Sequence, residues 1–251
     1  MEASRLPMEV PNYIRNAEII GAPIKYKWNN KLALKFYAAK DQNVRLYEAV
    51  DKSSFKAKLA IGIAITEWII WRFEGHINLK DAQLRTQAGW VAVIDPAYVK
   101  TLEMDLSKGI HDSEIVKGPL EITLEIFGLI YGRYAIGNIY LAEHIVKQAM
   151  LAQHLLPDKK IFSDWLTDAV KKTAKVFPRE TEYDEDTGIY DASHEKPVPR
   201  EFFEPSFSYS EEATKKVLRE FLQSLNPKEN PYLNSPEEMT KLGFQGKPYN
   251  L

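Results

Sequence analysis

The chain contains no cysteine, and this absence excludes a disulfide framework, a thiolate zinc site, an iron–sulfur cluster and a cysteine nucleophile together. Stability has to come from packing. An excess of charge is also missing: 33 Lys and Arg stand against 35 Asp and Glu, for a net charge of −2. Nucleic-acid binding usually demands a basic face or stripe, so that class is disfavoured. Long apolar runs are missing too. The longest, Leu59 to Ile70, is interrupted by Thr66 and Glu67 and falls short of the roughly 18 to 20 residues of a membrane span. The opening Met1-Glu2-Ala3-Ser4-Arg5-Leu6-Pro7 has no apolar h-region, so no secretory signal is read and the cytoplasm is the expected compartment. No phosphate loop, dinucleotide fingerprint or nucleophile elbow occurs, which removes the carriers of nucleotide and α/β-hydrolase chemistry. No catalytic residue, metal or cofactor is expected.

What is there reads as all-α. Over 251 residues, 45% are hydrophobic and 27% charged, ordinary globular usage. The expectation is one helical domain over residues 1–251, a bundle of roughly eight to ten helices by apolar periodicity. Asn30 to Val50 reads as one amphipathic outer helix. Ser53 or Ser54 can cap a helix that carries Leu59 to Phe73 and is apolar on nearly all sides, which belongs at the centre. Asp95-Pro96 should start two shorter helices, and Pro119 a long region that breaks at Gly137. Gly128 and Gly132, four apart, would let another helix approach. Lys160 to Phe177 is amphipathic and ends at Pro178. An irregular acidic insertion spans 179–209, with a small hairpin turning through Gly188. After a helix capped by Ser210, the tail 226–251 contains the capping box Ser235-Pro236-Glu237-Glu238 and is expected to dock.

Three constellations could carry chemistry. His76, His111-Asp112 and then Asp164 or Asp168 follow the ligand order of helical His-Asp phosphohydrolases, in which a divalent metal polarises phosphate. The His-Asp pair here falls in a loop rather than on a helix. Glu67 and Glu74 with Arg72, set among Trp68, Trp71 and Phe73, could form an acid and base pair. A structural ion pair of Glu67 with Arg133 or Arg45 explains the same residues. The largest local anomaly is Glu180 to Glu195. Seven carboxylates, Glu180, Glu182, Asp184, Glu185, Asp186, Asp191 and Glu195, fall in sixteen residues with Tyr183 and Tyr190 interleaved and no Lys or Arg before Lys196. Such a stretch creates a negative field, and tyrosines within it supply contact area of the kind enriched at interfaces. Asp184-x-Asp186 lacks the continuation of a calcium loop.

Thr66-Glu67-Trp68-Ile69-Ile70-Trp71-Arg72-Phe73-Glu74-Gly75, and the tail pieces Asn230 to Met239 and Gly243 to Tyr249, resemble uncharacterised helical bacterial proteins of the interbacterial toxin-immunity type. The resemblance implies a binding protein that neutralises a cognate toxin or effector. The expected site is Glu182, Tyr183, Asp184, Glu185, Asp186, Tyr190 and Asp191, and the expected partner is a basic protein domain.

Overall fold

A computed structural model of the protein describes residues 8–37, 43–102, 104, 114–180 and 188–250. Among these residues there are ten α-helices, two 3-10 turns and no strand. The helices are α1 (Asn12–Arg15), α2 (Asn30–Tyr37), α3 (Val44–Asp51), α4 (Phe55–Arg72), α5 (Lys80–Ile94), α6 (Lys117–Ala135), α7 (Leu141–Leu155), α8 (Lys159–Val176), α9 (Glu211–Ser224) and α10 (Pro236–Lys241). The all-α expectation holds. No helix of the described residues is long and apolar enough to cross a membrane.

Every residue of α4 is buried, as its all-round apolarity dictates. It is the hub, packed against α5, α6 and α7, with α8 beyond. Its neighbours come close at two glycines. A Cβ at Gly62 would lie 3.1 Å from Ile130, and one at Gly89 only 2.6 Å from the Phe127 ring. Close approach thus falls on α4 and α5, where added methyl groups would overpack the core.

The expected helix from Asn30 to Val50 is two helices, the second capped by Asn43, whose Oδ1 accepts from the Leu46 amide at 3.1 Å. Of the two short helices expected after Asp95, the described residues contain one 3-10 turn, Pro96–Tyr98, capped by Asp95. Ser54, Ser210 and Ser235 cap their helices as read. Gly137 ends the α6 region in the left-handed conformation, φ 68°, which suits glycine. The tail docks on the 3-10 turn: the Phe244 and Tyr249 rings each lie 5.1 Å from the Tyr98 ring. Asn230 reaches back to the Leu84 carbonyl.

Candidate functional site

The N-terminal end of α4 organises the region around the acidic stretch. The first amides of a helix lack intrahelical partners, and here the Glu195 carboxylate takes two of them, from Phe55 at 2.9 Å and Lys56 at 2.7 Å. A carboxylate at this end also complements the helix dipole. The Tyr190 hydroxyl donates to the same carboxylate at 2.8 Å, and its ring packs 5.4 Å from that of Phe55. Next to it the Tyr190 amide donates to the Gly137 carbonyl at 2.8 Å. A Cβ at residue 137 would sit 2.3 Å from the Tyr190 oxygen, so only glycine allows this pairing. Residues 181–187 of the expected hairpin lie outside the described residues; at its described end Ile189 bridges to Asn138, on the turn between α6 and α7.

The other border of the stretch is fastened just before α4, to the end of α3 and the link that follows it. The Arg179 amide donates to the Lys52 carbonyl at 2.9 Å, and its guanidinium meets Asp51 at 2.7 Å. Asp51 also holds the fully buried Lys58 amine at 2.6 Å. Burial nevertheless pushes the Lys58 pKa down, against the pull of Asp51.

Beside Tyr190 lies a cavity of about 410 Å³ whose lining includes Lys56, Asp95, Ile136, Ile189 and Asp191. Two of its apolar walls face solvent, Ile136 at 61% and Ile189 at 59% exposure, and Tyr140 on the same turn is 53% exposed. Asp191 is exposed, and hydrogen bonds from Ser193 hold its pKa below the usual carboxylate value. Tyr190, by contrast, is only 8% exposed, with its hydroxyl on Glu195 and its ring against Phe55. Glu182, Tyr183, Asp184, Glu185 and Asp186 lie outside the described residues. Gly137 was read as a helix break but not as the partner of Tyr190, and Ile136, Ile189 and the capping role of Glu195 were missed from sequence. Only the glycine that breaks a helix gave a signal.

The second constellation does not form an acid and base pair. Glu67 is buried and meets Arg200, with Nη2 at 2.7 Å and Nε at 2.9 Å from Oε1. The Tyr13 hydroxyl donates to Oε2 at 3.4 Å. Burial raises the Glu67 pKa, and Arg200 counters it. The partner is Arg200, not Arg133 or Arg45, because the 3-10 turn Arg200–Phe203 lies against α4. Glu74 sits half-buried beyond the end of α4. Arg72 points elsewhere, to carbonyls of residues 19–23.

The metal-ligand order finds no support among the described residues, where no three His, Asp or Glu side chains converge. His76 is exposed near the Ala22 carbonyl, and Asp164 pairs with Lys160. His111 and Asp112 lie outside the described residues. No family model, curated protein or solved structure matches the chain. Function therefore has to be argued from this geometry and from the sequence.

Proposed function

We propose that this chain is a non-enzymatic binding protein of the toxin-neutralising type, which engages a basic toxin or effector domain through the stretch from Glu180 to Glu195. The observation that carries the reading is the fastening of both borders of that stretch around the start of α4, by Arg179 at Asp51 and Lys52 just before it and by Tyr190 and Glu195 at its first turn. Pre-fixed borders reduce the ordering cost of binding. The acidic side chains Glu182, Asp184, Glu185, Asp186 and Asp191 steer a basic surface inward. Tyr183 and the exposed Ile136, Tyr140 and Ile189 then supply the apolar contact that charge alone does not. Tyr190 acts from below as the anchor.

The test is isolation of the tagged protein from its host with whatever co-elutes in stoichiometric amount, followed by binding measurements on the purified pair. Changing Asp184, Glu185 and Asp186 together to Lys should weaken binding at least about a hundredfold, in the range of charge pairs at tight interfaces. The association rate of the native pair should fall steeply with salt. An unchanged affinity in the triple variant sinks the site.

A further inference from the structure

Arg72 is the last residue of α4 and is 1% exposed, yet among the described residues it meets no carboxylate. Its guanidinium donates to three backbone carbonyls, of Ile19 at 3.4 Å, Ala22 at 2.6 Å and Pro23 at 2.8 Å. Its Nε–H has no hydrogen-bond partner. A guanidinium offers five donors, so three bonds leave part of the group unsatisfied. A buried charge is normally paired with an opposite one. Carbonyl dipoles and the C-terminal end of α4 meet only part of that need. Burial accordingly lowers the Arg72 pKa from its ordinary value.

This cation lines a cavity of about 630 Å³ between the segment around residues 17–26 and the link from α7 to α8. The mouth carries two exposed amines, Lys25 and Lys159, and the walls include Leu155, Leu156 and Ile161. Two carboxylates also line it. Asp158 is committed to the N-terminus of α8, accepting from the Lys160 and Ile161 amides. Glu18 is exposed and takes no part in the Arg72 contacts. Three cations against two carboxylates leave the cavity positive, with its one buried charge uncompensated.

We propose that this cavity is a binding site for a small organic oxyanion, whose phosphate or carboxylate group supplies the missing counter-charge to Arg72. The apolar walls take the body of the molecule, and Lys25 and Lys159 draw the anion in. The site lies at the C-terminal end of α4, opposite the end that Glu195 caps, and does not depend on the proposed partner.

The experiment titrates the full chain with inorganic phosphate, acetate and benzoate, each against sodium chloride of equal ionic strength, and reads the thermal midpoint and amide NMR shifts. The expected result is a saturable rise in midpoint with shifts confined to residues around Arg72 and His154. The better of phosphate and acetate identifies the head group, and benzoate binding more tightly than acetate reports the apolar walls. Arg72→Gln should lose at least about tenfold in affinity, the scale of one charge-assisted bond. If that variant does not fold, the exposed double variant Lys25→Glu, Lys159→Glu must weaken binding as strongly. The proposal is overturned if none of the three anions exceeds chloride, or if the folded variants bind like the native chain.

Discussion

Arg200 and Arg72 both bring a guanidinium to α4, and only the first meets a carboxylate. Burial works against both charges. At Arg200 the Glu67 carboxylate more than offsets it and the pKa moves up; at Arg72 burial prevails and the pKa moves down. The two residues also hold different things. Arg200 joins α4 to the N-terminal arm through Glu67 and the Glu9 carbonyl. Arg72 holds the same arm further along, at Ile19 to Pro23, through backbone alone. A paired cation held against α4 and an unpaired one within it differ in what their removal leaves behind.

The largest effect is expected at the paired site. Arg200→Ala leaves Glu67 buried without a cation, and breaking such a pair costs about 3–5 kcal/mol, measurable as a lowered urea midpoint. Replacing both partners, Glu67→Leu with Arg200→Met, should recover most of that loss. A single variant within about 1 kcal/mol of the native chain would mean that Glu67 is not held as an anion by Arg200. The next effect is smaller. Arg72→Met removes the charge together with its own need for partners and leaves carbonyls without donors, so the same unfolding measurement should show about 1–3 kcal/mol. An equal loss at both sites would erase the distinction between them.

A third buried group differs from both arginines in that its effect depends on pH. Burial, with Lys147 and Arg133 nearby, lowers the His144 pKa to about 4 from its ordinary 6.5. Between those values the unfolded chain binds the proton and the folded chain does not. Stability therefore falls as pH drops from 6.5 to 4 and is level again below. The loss is up to about 3 kcal/mol at 1.36 kcal/mol per unit. His144→Gln should flatten that limb of the urea midpoint plotted against pH, whereas the arginine variants should keep it.

How much of this was legible depended on sequence distance. The central helix could be read because Leu59 to Phe73 is apolar all round, and its cap Ser54 because a cap acts within three residues. The stop before Pro178, the break at Gly137 and the Ser235 box are local in the same sense. The partner of Glu67 was not legible. Arg200 lies 133 positions away, in a stretch without periodicity, so Arg133 and Arg45 looked as plausible. Glu195 was read as one more charge in an acidic run because the amides it caps are about 140 residues upstream. Tyr190 was read as partner-contact area from its acidic neighbours, and the packing of its ring on Phe55 was not legible.

The clasp of α4 has a consequence for synthesis. Its cap comes from Glu195, its ion pair from Arg200, and Glu204 takes the amide of Asn12. All three follow α8 in the chain and are made after it. Until then the nascent chain holds its most apolar helix with open amides and an unpaired Glu67, the kind of exposed surface on which chaperones act. A chain stopped just past Val176 would carry the long helices of the core yet lack every one of these closures, and it would be recognised by the cell as unfinished.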